Sequence, residues 1–419
     1  MDKFVIEGGV KLKGSVEIGG SKNAALPAMT AALLARGTSR LKRVPHLMDI
    51  KTMGRLLGNM GCGFTHKADL AEIDTDNVTN LEAPYELVKT MRASVLVLCP
   101  LVARYGRARV SLPGGCAIGA RPINLHLMGL EKMGAKITLE GGYVTAKCKR
   151  LKGARIYFDI PTVTGTENLM MAAALAKGTT VLENCAMEPE VVDTARILIS
   201  MGAKISGAGT SVIEIEGVEE LKPYKHTVIA DRIETGTFMA AAAITGGDIT
   251  LTGVEAAPED AVVLKLKEAG VKFKPTASGL RVKGPERPHA CDISTMPYPG
   301  FPTDMQAQFM ALMCIADGTS VIRENIFENR FMHVAELGRM GADISLSGNS
   351  ATVRGVAELN GADVMATDLR ASASLVVAAL AAKGRSNVHR IYHLDRGYEG
   401  MEIKLRGLGA VVTREKESA

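Results

Sequence analysis

The sequence predicts an α/β fold of two similar lobes, each built from three copies of one βαβαββ unit. Three observations predict this fold. A glycine that opens a short β-rich run recurs six times along the 419 residues, an Ala-rich helical segment precedes each of these glycines, and an amphipathic helical segment follows it. Recurrence at a fixed period indicates a repeated supersecondary unit.

The recurring glycines set the length of the unit. Their spacings are 69, 72, 68, 72 and 66 residues, and the glycines are Gly37, Gly106, Gly178, Gly246, Gly318 and Gly384. Six units divide as three and three, with the seam between residues 218 and 231. We therefore predict one lobe over residues 22–229 and a second lobe over residues 1–21 and 230–419, with the active site in the cleft between them.

Each unit begins with a strand that is entered through a short turn. The turn reads Leu-Lys-Gly at residues 12–14 and 151–153, and Leu-Asn-Gly at residues 359–361. Because the first of these turns precedes the first Ala-rich segment, we expect the first unit to begin almost at the N-terminus.

The first helix of each unit is apolar on nearly every side, which predicts that it is buried. Its six segments are NAALPAMTAALLA, RASVLVLCPLVA, ENLMMAAALA, ETGTFMAAAAI, MQAQFMALMCIA and RASASLVVAALAA. The second helix, as in EVVDTARILISMGA, alternates apolar and charged residues at helical spacing and is expected to be half exposed. We therefore predict helices inside and sheets outside, with two short strands ending each unit.

The composition indicates a globular protein of at least two domains. Hydrophobic residues make up 47% of the chain and charged residues 23%, and no run of about 18 apolar residues lacks charge and glycine. The N-terminal MDKFVIEGG has no apolar signal-peptide region. Seven cysteines without a CxxC pair, at positions 62, 99, 116, 148, 185, 291 and 314, predict neither a disulfide framework nor a zinc site. We expect a cytoplasmic protein that binds no membrane and no metal.

The charge balance argues against nucleic acid as the partner. Lys and Arg number 50 against 45 Asp and Glu, a net charge of +5, aromatic residues make up 4% of the chain, and Trp is absent. Nucleic-acid-binding surfaces are more basic than this. A DNA clamp of repeated α/β units is the alternative that is not an enzyme, and a salt-sensitive gel shift would test it.

The segment Ser111–His126, SLPGGCAIGARPINLH, is the most unusual stretch of the chain. Its glycines and prolines predict a loop that carries Cys116. Arg121-Pro122 predicts a helix start with proline in the first turn. A guanidinium beside a helix N-terminus suits an anion. The alternative interpretation is a turn with a buried thiol.

Charged and polar side chains recur at equivalent helix starts. Those of the first helices are Lys22-Asn23, Arg92, Thr164-Gly165-Thr166, Arg232, Asp304 and Arg370, and those of the second helices are Arg121, Arg330 and Arg396. The helix dipole disfavours a cation at this end, so the pattern favours a polyanionic ligand. Alternatively, the arginines cap loops or pair with Asp368 and Asp395, and Asp304 is the N-cap of its helix.

Seven motifs together resemble the UDP-N-acetylglucosamine enolpyruvyl transferase family, and the resemblance covers the chain end to end. They are SKNAALP, LPGGCAIGARP, RIETGTF, PTDMQAQ, ENRFMH, TDLRASASL and DRGYE. The resemblance implies the enolpyruvyl transferase fold, an inside-out α/β barrel of two lobes. It also implies transfer of the enolpyruvyl group of phosphoenolpyruvate to the 3'-hydroxyl of UDP-N-acetylglucosamine with release of phosphate, which commits the sugar nucleotide to peptidoglycan. The sister enzyme that acts on shikimate 3-phosphate is the alternative within the same fold.

The resemblance also implies roles for individual residues. Cys116 donates the proton to C3 of phosphoenolpyruvate and Asp304 accepts the proton of the sugar hydroxyl, because an enol ether reacts as an electrophile only when it is protonated. Lys22, Arg121 and Arg396 contact the phosphate, Arg330 and Arg370 contact the carboxylate region, and Asn23 binds the tetrahedral intermediate. The nucleotide-sugar contacts are Arg92, Arg121, Pro122, Ile123, Asn124, Leu125, Pro161, Thr162, Val163, Thr164, Asp304 and Ile326.

The chain departs from the family pattern at two places. Asn124 stands where the family has aspartate, and Gly165 comes one residue later than in some relatives. His126 either supports its loop or packs in it. No metal cluster or dinucleotide fingerprint occurs in the sequence, so we expect no cofactor, and we expect a monomer.

The acid assignment predicts how Cys116 can be replaced. Arg121 should lower the pKa of the thiol from about 8.5, which makes it reactive towards an epoxide that mimics phosphoenolpyruvate. The substitution Cys116→Asp should keep turnover, since a carboxylic acid can donate the proton, and should abolish inactivation by the epoxide. Loss of all activity in a folded Cys116→Asp protein would contradict the assignment.

Overall fold

The chain forms two compact bodies, which we call the terminal body and the central body. The computed structural model describes residues 2–89, 91–112, 123–255 and 260–417. Of these, the residues up to Gly19 and from Ala230 onward form the terminal body, and those between Gly20 and Ile229 form the central body. Each body has three four-stranded sheets and its own hydrophobic core.

Strands and helices alternate regularly through the described residues. The strands are β1 (Asp2–Glu7), β2 (Lys13–Glu17), β3 (Thr38–Lys42), β4 (Gly63–Lys67), β5 (Leu70–Asp74), β6 (Glu82–Ala83), β7 (Arg107–Ser111), β8 (Lys136–Glu140), β9 (Tyr143–Lys147), β10 (Arg155–Tyr157), β11 (Thr179–Glu183), β12 (Lys204–Ser206), β13 (Val212–Glu216), β14 (Lys225–Thr227), β15 (Asp248–Thr252), β16 (Lys272–Thr276), β17 (Gly279–Lys283), β18 (Ile293–Ser294), β19 (Thr319–Arg323), β20 (Asp343–Ser347), β21 (Ser350–Arg354), β22 (Asp363–Met365), β23 (Arg385–His389) and β24 (Val411–Lys416). The α-helices are α1 (Lys22–Ala31), α2 (Met48–Asn59), α3 (Tyr85–Val88), α4 (Leu98–Tyr105), α5 (Asn124–Lys132), α6 (Val163–Ala174), α7 (Pro189–Ser200), α8 (Arg232–Ile244), α9 (Ala261–Glu268), α10 (Gln306–Met313), α11 (His333–Arg339), α12 (Leu369–Ala381) and α13 (Met401–Gly407). Short 3-10 helices lie at Ala32–Leu34, Arg92–Val97, Thr303–Met305 and Ile391–Arg396.

The third repeat shows the topology of one unit. Strand β10 runs parallel to β11, with Ile156 opposite Leu182. Strand β13 pairs antiparallel with β11 and with β12, which gives the order β10-β11-β13-β12. All six sheets follow this scheme. The predicted βαβαββ unit is therefore confirmed.

The expectation that the first unit begins almost at the N-terminus is wrong. Strand β2 pairs in parallel with β15, in the sheet of the fourth repeat, and the first repeat instead takes β14 as its entry strand beside β3. Strand β1 pairs with β23 and β24 and so completes the sixth repeat. Both β2 and β14 are followed by four residues and then a buried helix, so exchanging them leaves the repeat spacing unchanged.

The two helix types differ in burial as predicted. Helix α8 is buried at every residue from Ile233 to Ile244, and α1, α4, α6, α10 and α12 are buried over most of their length. Helix α7 buries Val191, Ala195 and Leu198 but exposes Arg196. The Ala-rich helices therefore form the cores, and their small side chains permit close packing.

A glycine after the last strand of a repeat allows that strand to approach the end of the buried helix. A Cβ atom at Gly355 would lie 1.8 Å from the carbonyl oxygen of Ala316, and one at Gly217 would lie 1.8 Å from that of Ala176. Gly8 and Gly284 occupy the same step in their repeats, at 2.1 Å and 2.3 Å from helix carbonyls. Any side chain at these positions displaces the backbone.

Substitution of these glycines should therefore destabilise the protein. We expect Gly355→Ala to lower the free energy of unfolding by about 1–3 kcal/mol, because the added methyl group overpacks against backbone. The matched control is Gly338→Ala in α11, where a Cβ would meet nothing within 4 Å. That change should raise stability by roughly 0.5–1 kcal/mol, since alanine favours a helix. Urea denaturation of both variants measures the difference, and equal stability would contradict the close approach.

Candidate active site

Three of the predicted site residues meet in the terminal body. Arg330 Nη2 donates to Asp304 Oδ1 at 2.8 Å, and Arg370 Nη2 donates to Asp304 Oδ2 at 2.7 Å. The side chains of both arginines are about 5–6% exposed, and that of Asp304 is 27% exposed. Burial alone would raise the pKa of Asp304, but the guanidinium groups of Arg370 and Arg330 hold it well below its usual value. The carboxylate is therefore ionised at neutral pH.

Arg370 is fixed from both ends. Its backbone N–H donates to Asp368 Oδ1 at 2.8 Å, which caps α12, and its Nη1 donates to the hydroxyl of Tyr398 at 3.4 Å. That hydroxyl is 2.8 Å from Thr237 Oγ1, and Gln308 Nε2 donates to it at 3.2 Å. Burial opposes the charge of Arg370, yet Asp304 raises its pKa above the ordinary value. The guanidinium therefore stays charged although it is almost out of contact with water.

The alternative interpretations of these residues do not match the structure. Asp304 lies in the 3-10 turn Thr303–Met305 and caps no helix with its side chain. Asp368 caps α12 instead of pairing with an arginine side chain, and Asp395 pairs with Arg414 at 2.9 Å and 2.7 Å. The arginines predicted at the second helix starts lie earlier than expected. Arg330 precedes α11, and Arg396 ends the 3-10 turn that precedes α13.

Lys22 forms the corresponding ion pair of the central body. It is the first residue of α1, after the N-cap Ser21, whose Oγ accepts the N–H of Ala24 at 3.3 Å. Lys22 Nζ donates to Asp49 Oδ2 at 3.2 Å, and both residues are buried. Asn23 follows in α1 and is half-buried. A cation is thus held at the end of the helix where the dipole disfavours it.

His126 lies in a buried hydrogen-bond network behind the predicted nucleotide-sugar contacts. Asn168 Oδ1 accepts the N–H of Cys99 at 3.3 Å, and its Nδ2 donates to the carbonyl of Val95 at 3.0 Å and to His126 Nδ1 at 2.9 Å. The ring proton therefore resides on Nε2, which is 3.4 Å from Thr164 Oγ1. Burial, assisted by the charge of Arg92, lowers the pKa of His126 to about 3. The imidazole is neutral and supports Thr164.

The remaining predicted contacts lie at helix starts and loop ends. Pro161–Thr164 open α6, where Thr162 Oγ1 accepts the N–H of Gly165 at 3.2 Å. Ile123 is buried and precedes α5, which begins with Asn124 and Leu125. Arg92 opens the 3-10 helix before α4, and Ile326 is 36% exposed in the loop after β19. Cys116, Arg121 and Pro122 lie outside the described residues.

The sequence patterns assigned no role to several residues that complete these contacts. They are Asp49, Glu324, Gln308 and Tyr398. Asp49 lies twelve residues after Gly37, the same distance at which Arg330 follows Gly318 and Arg396 follows Gly384, so comparison of the repeats could have identified it. Glu324, Gln308 and Tyr398 belong to no repeating pattern of charge.

Among the described residues no three His, Cys, Asp or Glu side chains are grouped so that they could hold a metal ion. In the same residues no helix is both long enough and apolar enough to cross a bilayer.

Comparisons with known proteins agree over the whole chain. Residues 6–405 match the family described as EPSP synthase (3-phosphoshikimate 1-carboxyvinyltransferase). The chain is 64% identical over 417 residues to a UDP-N-acetylglucosamine 1-carboxyvinyltransferase of Thermodesulfovibrio yellowstonii, covering 99% of this chain and 100% of that protein. A protein of the same name from Geobacter metallireducens is 63% identical, with 100% of both chains covered. The crystal structure of the enolpyruvyl transferase NikO from Streptomyces tendae is similar with a TM-score of 0.87 at 26% identity, covering 99% of this chain and 98% of that chain. These likenesses confirm the predicted fold class.

The state of His126 predicts a contribution to acid sensitivity. Its pKa is about 3 in the folded protein and about 6.5 in an unfolded chain. The unfolded state therefore binds more protons between these values, and stability falls as the pH falls from 6.5 towards 3. Between pH 6.5 and 5, we expect wild type to lose about 1.6 kcal/mol more than His126→Gln.

Urea denaturation at several pH values measures this difference in slope. The control is His289→Gln at an exposed position, which should keep the wild-type slope. If the slope of His126→Gln equals that of wild type, the buried neutral state of His126 is wrong.

Proposed function

The chain belongs to the EPSP synthase family and groups there with the UDP-N-acetylglucosamine 1-carboxyvinyltransferases, and we propose that it performs their reaction. It transfers the enolpyruvyl group of phosphoenolpyruvate to the 3'-hydroxyl of UDP-N-acetylglucosamine and releases phosphate, the first committed step of peptidoglycan synthesis. The observation that carries this conclusion is the 64% identity to such an enzyme over 417 residues. The paired arginines around Asp304 support it.

The reaction needs an acid at one substrate and a proton acceptor at the other. The sugar oxygen forms a bond to C2 of phosphoenolpyruvate as C3 gains a proton, and the hydroxyl proton leaves to a base. Loss of a proton from C3 and of phosphate from C2 then regenerates the enol ether. We assign the acid to Cys116 and the acceptor to Asp304.

The charges around Asp304 suit an anionic substrate. Two buried guanidinium groups face one carboxylate, so the group carries a net charge of +1 and can accept a further carboxylate. When a substrate carboxylate takes up N–H groups of Arg330 and Arg370, Asp304 loses part of the stabilisation that holds its pKa low. The base strength of Asp304 therefore rises when the substrate is bound.

The other substrate contacts are proposed from the resemblance. The phosphate is bound by Lys22, Arg121 and Arg396. The tetrahedral intermediate is bound by Asn23. The nucleotide sugar is bound by Arg92, residues 121–125, residues 161–164 and Ile326. These residues are divided between the central body and the terminal body. We propose that the predicted lobes, over residues 22–229 and over residues 1–21 and 230–419, both contribute residues to substrate binding. Asn124 would use a neutral amide where the family has a carboxylate.

The proposed substrates and chemistry indicate where the protein works and what else it needs. Both are small phosphorylated metabolites of the cytoplasm, and the proposed chemistry needs only a thiol, a carboxylate and cationic side chains. We propose a cytoplasmic monomer without a cofactor, which binds neither nucleic acid nor a membrane.

A phosphate-release assay with phosphoenolpyruvate tests the function. We expect turnover with UDP-N-acetylglucosamine and none with shikimate 3-phosphate. The variant Asp304→Asn should lower kcat by roughly 100- to 10,000-fold, as expected for loss of a proton acceptor. Turnover with shikimate 3-phosphate alone would identify the protein as the sister enzyme instead.

A further inference from the structure

A buried carboxylate that takes no direct part in the proposed reaction lies behind Asp304 and Arg330. Glu324 directly follows β19 and is 3% exposed. Its Oε1 accepts the hydroxyl of Thr295 at 2.9 Å and the backbone N–H groups of Ile326 and Phe327 at 2.9 Å and 3.1 Å. Its Oε2 accepts the hydroxyl of Thr303 at 2.9 Å. Four donors thus hold one carboxylate in a fixed orientation.

The bond to Thr303 determines which way that hydroxyl points. Because the Thr303 proton is donated to Glu324, the oxygen Oγ1 presents its lone pairs elsewhere. Arg330 Nη1 donates to this oxygen at 3.3 Å, while Nη2 of the same guanidinium donates to Asp304 Oδ1 at 2.8 Å. A continuous chain of hydrogen bonds therefore runs from the Glu324 carboxylate through Thr303 and Arg330 to the Asp304 carboxylate.

The backbone bonds of Glu324 support Arg330 from its other side. They fix the turn at Ile326 and Phe327, and the Phe327 ring lies 5.2 Å from the Arg330 guanidinium carbon, within the range of a cation–π contact. The same carboxylate thus orients both an N–H partner and an aromatic partner of Arg330. It also sets the backbone of Ile326, which we propose as a nucleotide-sugar contact.

We propose that Glu324 is a positioning residue for the enolpyruvyl transfer, acting through Thr303 to hold Arg330 against Asp304. The inference rests on the proposed function, since it has Glu324 position an arginine that contacts Asp304, the proposed proton acceptor.

Comparison of the repeats shows that this carboxylate is special to the repeat that carries Asp304. The residue directly after the corresponding strand is Arg43, Leu112, Asn184, Gly253 or Arg390 in the other repeats. The Asn184 side chain instead donates to the carbonyl of Phe158, at 2.8 Å. Arg43, Asn184, Gly253 and Arg390 have positive φ angles, whereas Glu324 does not. The chain therefore takes a different course after β19 than after the corresponding strands of those four repeats, and the Glu324 carboxylate fixes that course.

Four variants and a control test the role. Thr303→Val removes the hydroxyl but keeps the bonds from Glu324 to Ile326 and Phe327, Glu324→Gln replaces the acceptor, and the double variant combines them. Thr303→Ser keeps the hydroxyl. The control is Asp292→Asn, because Asp292 accepts the N–H of Val321 in β19 at 2.7 Å and has no bond to Thr303.

The readouts are kcat, KM and the pH dependence of kcat in the phosphate-release assay. We expect Thr303→Val and Glu324→Gln each to lower kcat about ten- to a hundred-fold through misplacement of reacting groups. The double variant should lose no more activity than the more impaired single variant, because Thr303 acts through the same link as Glu324. Thr303→Val should leave KM for UDP-N-acetylglucosamine within about threefold of wild type, a split that a general loss of structure does not produce. Since Arg330 lowers the pKa of Asp304, the acidic limb of kcat should move to higher pH in both single variants.

The outcomes separate this inference from the proposed function. Folded Thr303→Val and Glu324→Gln proteins with wild-type kcat and pH profile, or losses that multiply in the double variant, would overturn the positioning role. If Glu324→Gln fails to fold, Thr303→Val, Thr303→Ser and the pH profile decide. Absence of turnover in wild type and in Asp292→Asn would instead reject the function.

Discussion

The terminal body has to keep two charged guanidinium groups almost out of contact with water, and one carboxylate between them makes this possible. Burying an unpaired cation costs several kcal/mol of desolvation free energy. A carboxylate at hydrogen-bond distance from the guanidinium offsets much of this cost. Asp304 serves Arg330 with one oxygen and Arg370 with the other. Because the carboxylate neutralises only one of the two charges, the site remains attractive to anions even though it is buried.

The repeated unit explains how such a site can be built on a uniform scaffold. In each repeat the buried helix begins beside the entry strand, so a side chain at that position is carried by a helix that is packed on nearly all sides. Lys22, Asp304 and Arg370 occupy this position in three repeats and form different ion pairs. The residue after the following strand varies in the same way, from Asn184 in the third repeat to Glu324 in the fifth. The strands and buried helices are thus the same in every unit, whereas the residues at the helix start and after the strand differ from unit to unit.

The sequence predicted the units because glycine spacing and Ala-rich segments are local signals. It also placed Lys22 at the start of α1 and Arg232 at the start of α8. The pairing of Asp304 with Arg330 and Arg370 joins residues 26 and 66 positions apart, and no local pattern determines which carboxylate two arginines share. The capping interpretation of Asp304 failed because Thr303–Met305 forms a 3-10 turn before α10, and Met305 takes the N-cap position of that helix. The exchange of β2 and β14 could not be predicted from the sequence, because both strands lead into a buried helix through connections of equal length.

That exchange has a consequence for the order in which the molecule can assemble during synthesis. The central body is encoded by one continuous stretch and can fold once residue 229 has left the ribosome. Strand β1 lies between β23 and β24, so it has to remain unpaired until the chain has been translated almost to its last strand. The first strand to be made is therefore among the last to find its partners, and the terminal body is closed by contacts of very long sequence separation, which form slowly.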